Sequence, residues 1–311
     1  MNKMDLEADF KPVTIDDLPE IQKYLEKSGY EESNHNLVNM IHWIEWYPLF
    51  QYKKEDYMLL LGIHQGQMFL YMPLCEEEYF EQALRKGKSI FDRYGCPFVL
   101  SCFTKEMMDR VLEIYPEYCG CHECAADDYV YEVASLMSFS GKKLQKKRNH
   151  LNAFYKEYEG RWTYESMHKD NARECINLLE VWSGQDDVRL MHDLNGTRNV
   201  LNAFHLLPAK GGIIRIDGQI KAFAIGSVLT QRMCQENIEK ADESIRGLYQ
   251  AIMREFLIHE FSEYEYVNRE DDMGIENLRQ AKKAYNPSFM IEKYRLCRVG
   301  EQDGNQGGGK R

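Results

Sequence analysis

Residues Glu265–Pro287 read EYVNREDDMGIENLRQAKKAYNP. A strand is predicted over Tyr264–Asn268, a polar turn at Asn268–Asp272, and a basic helix over Ile275–Tyr285 that stops before Pro287. Buried elements rarely carry this many charges at the carboxyl end of a strand. In sheets covered by helices that end is where ligands bind, so the stretch is the first candidate for a functional edge.

Upstream of it the pattern is strand, helix, hairpin, helix. Arg161–Met167 is strand-like, and Asp170 is placed to cap a helix carrying Ile176, Leu179 and Trp182. A polar loop with Asn195-Gly196 and a short helix from Arg198 to Leu207 follow. The hairpin is Gly212–Ile216 and Gln219–Leu229 around Asp217-Gly218, a strong turn signal. A further strand over Arg232–Glu239 and a long helix over Ile245–Phe261 complete the run. Met290–Leu296 is expected as one closing strand.

The first half follows the same order. It offers a helix after Thr14-Ile15-Asp16-Asp17, an aromatic segment at Leu37–Phe50, and a hairpin at Tyr57–Ile63 and Met68–Pro73 around Gly66. Helix Glu76–Arg93, strand Phe98–Phe103, helix Thr104–Tyr115 and strand Tyr129–Val133 come next. The turns at Gly66 and Gly218 and the late strands at Val99 and Val267 suggest a duplicated α/β unit. Leu136–Tyr158 is the expected joint. The domains are set at 1–138 and 139–300, with a polar, glycine-rich flexible tail at 301–311.

The chain has 311 residues and a formal net charge of -11, so its surface as a whole repels nucleic acid and anionic lipid. One local exception is Lys142–Arg148, KKLQKKR, read as either a solvated helix face or an anion site. No apolar run is long enough to span a bilayer and MNKMDLEADF lacks a signal region, so no membrane insertion and a cytoplasmic location are expected. Cys119, Cys121, His122 and Cys124 crowd into a few positions with no second cluster to close a tetrahedral site. A loop with free thiols, and no metal, is the reading.

Three stretches carry a resemblance to a known family. They are Gly141-Lys142-Lys143 with Lys147-Arg148-Asn149 through Phe154, Ile238–Asp242 with Gly247-Leu248-Tyr249, and Val267–Asp272 through Gly274, Arg279, Lys282, Tyr285 and Pro287. Together they resemble the family of the C-terminal domain of phosphatidylglycerol lysyltransferases. The resemblance implies an α/β (α+β) fold of two tandem acetyltransferase-like (GNAT) domains, each a mixed sheet flanked by helices. It also implies transfer of an acyl or aminoacyl group to an amine or hydroxyl, with aminoacyl-tRNA or acyl-CoA as donor. The acceptor would be a small molecule or a lipid headgroup. The glycine-rich phosphate loop of acetyl-CoA enzymes is missing, and only Arg246-Gly247 stands before the long helix. Two other readings remain: a non-catalytic binding or regulatory protein, and an acetyl-CoA-dependent N-acetyltransferase.

Such a transfer needs a group that takes a proton from the acceptor and donors for the developing oxyanion. Glu239 and Asp242, at the end of the strand before the long helix, are the catalytic candidates; Asp242 can equally cap that helix. Asn268, Arg269, Glu270 and Asp272 leave a strand end together as substrate-binding candidates. Arg279 and Lys282 share a helix face and can complete an anion site with Arg148, and Lys147 and Asn149 are further substrate-binding candidates. Tyr285 can donate to a leaving group or pack the helix end. The first half, FVLSCFTKEMMDRV, has no such charged cluster, which places the site in the second half.

Overall fold

In chain order the strands are β1 (Lys11–Pro12), β2 (Leu49–Lys53), β3 (Tyr57–His64), β4 (Gln67–Leu70), β5 (Leu74–Cys75), β6 (Leu100–Thr104), β7 (Tyr118–His122) and β8 (Asp128–Glu132). They continue as β9 (Trp162–Ser166), β10 (Ala209–Ile216), β11 (Gln219–Val228), β12 (Met233–Ala241), β13 (Tyr266–Asn268), β14 (Phe289–Ile291) and β15 (Lys293–Arg298). This is a computed structural model that describes residues 9–182 and 188–300. The expected tail at 301–311 lies outside the described residues.

These strands build two sheets. The first runs β1-β2-β3-β4-β6-β15-β7, with β5 on β3, and the second runs β14-β8-β13-β12-β11-β10-β9. Read from β9, the second sheet matches the first position by position. Among the described residues, the parallel neighbours are β4/β6 in the first sheet and β12/β13 in the second. The expected mixed sheets of a tandem GNAT-like chain are therefore present, both flanked by helices.

The sixth position of each sheet is filled from the far side of the sequence. Strand β8 lies beside β13, and β15 lies between β6 and β7. The compact units are consequently interleaved. Among the described residues, one comprises 9–29, 46–127 and 292–300, and the other 30–45 and 128–291. One crossing lies at 127/128, eleven residues before the expected 138/139, and another at 291/292 divides the expected Met290–Leu296 strand into β14 and β15. Strand β15 fills the sixth position of the first sheet and β8 that of the second, and hydrophobic pattern alone does not say which sheet a strand joins.

The same comparison corrects the repeat. The β3–β4 turn with Gln65 and Gly66 at positive φ occupies the place of the β11–β12 turn, whereas Asp217-Gly218 joins β10 to β11. Both tight turns have two consecutive positive-φ residues, as a two-residue hairpin of the right twist requires. Asn195-Gly196, expected in a loop, lies inside helix Val188–Ala203, and the Lys169–Glu174 helix is capped by His168 in place of Asp170.

In the second unit the helices Gln145–Glu157 and Leu248–Glu260 contribute Leu151, Phe154, Leu248, Ile252 and Phe256 to the core. Ile214, Ala224 and Val267 of the sheet meet them there, and Tyr131 and Tyr285 are part of the same cluster. This packing fixes β12 and β13, the two strands that carry most of the charges singled out above.

Candidate functional site

Along a regular strand, Glu236 and Glu239 of β12 would point to opposite faces, because they are three residues apart. The ladder between β11 and β12 contains one extra residue at Asn237. Gly226 pairs with Glu236, Ile225 with Ile238, and Ala224 with Glu239. The bulge restores both glutamates to one face, two partner positions apart. Gly226 makes this possible, since a Cβ there would come within 2.4 Å of the Gln235 carbonyl oxygen.

Arg269 follows β13 and meets both carboxylates. Its Nε donates to Glu236 and its Nη2 to Glu239, as buried ion pairs. The guanidinium also lies over two rings, 5.1 Å from the Tyr285 centroid and 5.9 Å from that of Tyr131. The Lys147 ammonium is 4.0 Å from the Tyr285 ring. Gln250 Nε2 donates to the Tyr285 hydroxyl at 2.9 Å, which orients the ring.

The electrostatics follow from burial. Desolvation, then the neighbouring Glu236 charge, push the Glu239 carboxyl up to about 8, against the opposing pull of Arg269 and Lys147. Burial, then Arg269, lower the Lys147 ammonium below its ordinary value, and burial pushes the Tyr285 phenol up to about 12. One arginine shared by two carboxylates leaves Oε1 of Glu236 and Oε1 of Glu239 buried without a hydrogen-bond partner among the described residues. A group able to hold or release a proton near neutral pH thus stands beside two acceptors with spare capacity. Tyr249, which the resemblance also marked, is raised by burial and by the Glu239 charge.

Glu270 forms a second buried group. It adopts φ 58, accepts from Gln235 at 2.7 Å and from Asn39 and Asn237 at 3.3 Å, and is pushed up to about 7 by burial. Asn268 donates to Asp128 at 2.9 Å and to the Glu31 carbonyl at 3.0 Å, and its Oδ1 accepts from the Glu270 amide at 2.8 Å.

The remaining sequence candidates hold the turn together. Asp272 accepts from Arg279 at 2.9 and 3.0 Å, from the Tyr129 hydroxyl at 2.7 Å and from the Gly274 amide at 2.9 Å. Lys282 donates to the carbonyls of Arg269 and Asp271, each at 2.5 Å. Arg148 donates to the Phe139 and Gly141 carbonyls at 2.5 and 3.3 Å, and Asn149 is exposed. Arg148, Arg279 and Lys282 therefore each bond to groups of the chain itself, whereas the expectation was a shared anion site. Asp242 accepts from the Ser244 hydroxyl at 2.5 Å and its amide at 3.1 Å, and faces Lys221 at 3.5 Å. It shapes the turn before the long helix, while Glu239 stands with Arg269. Glu236 was missed because alternation assigns it to the wrong face; only the bulge reveals it.

A family model described as phosphatidylglycerol lysyltransferase, C-terminal, matches residues 26–297. A conserved protein of unknown function from Bacteroides thetaiotaomicron VPI-5482 superimposes with a TM-score of 0.86 at 29% identity, over 93% of this chain and 99% of that one. L-PGS from Bacillus licheniformis shares the fold, with a TM-score of 0.68 at 13% identity over 91% and 92% of the two chains. An uncharacterised protein of Mycoplasmoides gallisepticum is 32% identical over 184 residues, 56% of this chain and 56% of that protein's length. The matched part thus spans little more than half of that relative. Among the described residues no helix is long and apolar enough to cross a membrane.

Proposed function

The chain belongs to the phosphatidylglycerol lysyltransferase C-terminal family, and on that premise we propose that it is an acyl- or aminoacyltransferase whose proton-handling group is Glu239. The observation that carries this reading is the Glu236–Arg269–Glu239 cluster, with two unpartnered carboxylate oxygens and a Glu239 carboxyl raised to about 8. A buried carboxylate tuned toward neutrality suits a general base.

In the proposed reaction the acceptor amine or hydroxyl lies against the free oxygens of the pair. Glu239 removes its proton as its nitrogen or oxygen attacks the acyl carbon. The bond from that carbon to the donor's oxygen or sulfur then breaks, and the leaving group takes a proton back. Arg269 pairs with Glu236, and Tyr285 and Lys147 flank the guanidinium and set the local charge.

An aminoacyl-tRNA is the donor we favour over acyl-CoA. The long helix starts after Gly247, where a Cβ would come within 2.1 Å of the His150 carbonyl oxygen. The His150 carbonyl and the Phe154 side chain thus crowd the residue where a phosphate-binding loop would stand, which favours a donor that needs no pyrophosphate site there. The acceptor is proposed as a small molecule or a lipid headgroup, and the setting as cytoplasmic. The competing reading, a binding protein on the same fold, is favoured by the fact that Arg269 already pairs with both carboxylates within the chain.

The test is transfer of a labelled aminoacyl group from charged tRNA to candidate acceptors by wild type and Glu239→Gln. Loss of turnover by at least about 100-fold, the lower end of general-base contributions, with folding and donor affinity preserved, is the expected result. Equal turnover in the variant removes Glu239 from the reaction. Saturable donor binding with no transfer by wild type to any acceptor supports the binding protein.

A further inference from the structure

The first unit carries a cluster that the transfer reaction does not use. Strand β7 ends at His122, and a tight turn follows in which the Ala126 amide donates to the Glu123 carbonyl at 2.7 Å. The turn returns Cys124 to 3.4 Å (Sγ) from His122 Nδ1 and sets both Asp127 oxygens 2.9 Å from His122 Nε2. One donor atom from each of the three residues lies within 4.8 Å of the others.

The frame around them is well held. The Glu123 amide donates to the Lys293 carbonyl at 2.9 Å, and the Lys293 amide donates to Asp127 Oδ1 at 3.0 Å. The Tyr294 ring stacks on His122 with centroids 5.1 Å apart and 29° between planes. Cys124 is exposed and His122 a third exposed, so an ion can reach them.

A thiol and a carboxylate on the two nitrogens of one imidazole are also the parts of a nucleophilic relay. In a relay the ring separates its two partners. Here the sulfur and the carboxylate oxygen also lie within 4.8 Å of each other, close enough for one ion to reach both together with a ring nitrogen. Zinc bonds of about 2.0–2.3 Å set ligand atoms roughly 3.3–3.7 Å apart, which a small turn of the ring and the thiol reaches.

We propose that His122, Cys124 and Asp127 form an open, three-ligand site for a borderline divalent transition-metal ion such as Zn(II), with the fourth position left for water. One soft, one intermediate and one hard donor match that class of ion, whereas magnesium and calcium require oxygen ligands throughout. The other thiols of this sheet are set apart. Cys119 and Cys121 alternate to the opposite face of β7, and Cys119 Sγ donates to the Cys297 carbonyl at 3.5 Å.

The site is tested by titrating the full chain with Co(II), then displacing it with Zn(II). Cobalt gives thiolate charge-transfer and d–d bands that report a sulfur ligand in four-coordinate geometry. One equivalent is expected to bind. Cys124→Ser, His122→Ala and Asp127→Asn should each weaken Zn(II) binding by more than about 100-fold, beyond the loss on removing an outer-shell partner. Circular dichroism confirms that the variants fold, and Cys121→Ser and Cys297→Ser should bind as wild type does. No saturable binding overturns the proposal. So does a thiolate band that survives Cys124→Ser but disappears with Cys121→Ser or Cys297→Ser, or one that is unaffected by His122→Ala.

Discussion

Glu236→Gln isolates the electrostatics of the candidate site. In the wild type the Glu239 carboxyl is raised from an ordinary 4.5 to about 8, so the folded chain binds one more proton than the unfolded chain between those values. Folding stability must then fall as pH rises through that window, by about 1.4 kcal/mol per pH unit, and level off above pH 8. Glu270, raised from 4.5 to about 7, adds a loss of the same sign up to pH 7. Replacing Glu236 by glutamine removes the like charge and leaves Arg269 to Glu239 alone. A close like charge is worth roughly 1–3 pKa units, so the variant should lose about 1.4–4 kcal/mol less stability than wild type between pH 5 and pH 9. Urea denaturation across that range measures the difference, and because Glu270 contributes equally to both proteins it cancels. In the transfer assay, the limb of the kcat/KM profile that reports Glu239 should move to lower pH. Parallel stability profiles for the two proteins would refute the shared-arginine account.

Other consequences are accessible to the same assays. Arg269→Ala leaves two buried carboxylates uncompensated and should cost about 3–5 kcal/mol in urea denaturation; a loss below about 1 kcal/mol contradicts their burial. Gly226→Ala places a methyl against the Gln235 carbonyl and should destabilise by about 1–3 kcal/mol while lowering transfer, because the bulge that aligns the glutamates must shift. Asp272→Ala removes the acceptor for Arg279, Tyr129 and Gly274 and should cost about 2–3 kcal/mol with transfer per folded molecule nearly unchanged; a selective loss of turnover would return Asp272 to the site. Saturating acetyl-CoA should leave the melting temperature unmoved, and a clear rise would favour the acyl-CoA donor instead.

Much of the fold is legible because it rests on local chemistry. Tyr57–His64 is a nearly unbroken apolar run and forms an interior strand of the first sheet, and Asp217-Gly218 makes the hairpin its residues demand. The turn after β13 carries Arg269 and Glu270 to where charge density at a strand end suggested function. Arg148, Arg279, Lys282 and Asp272 were equally conspicuous, yet their contacts are with carbonyls and with each other. Charge in a sequence does not say whether its partner is a ligand or the chain itself.

What the sequence determined alone was most of the elements, their duplication, and the half that bears the charged cluster, since these follow from periodicity and turn chemistry over neighbouring residues; strand β7, expected as a cysteine loop, was not among them. Tertiary structure decided three further things. It assigned β8 and β15 to the sheets across the boundary, because pairing depends on which edge each strand completes. It turned Glu236 onto the face of Glu239 through one extra residue opposite Gly226, reversing what alternation predicts. It brought Asp127 back to His122 and Cys124, a convergence set by a turn and by the backbone of β15, more than 160 residues away in sequence.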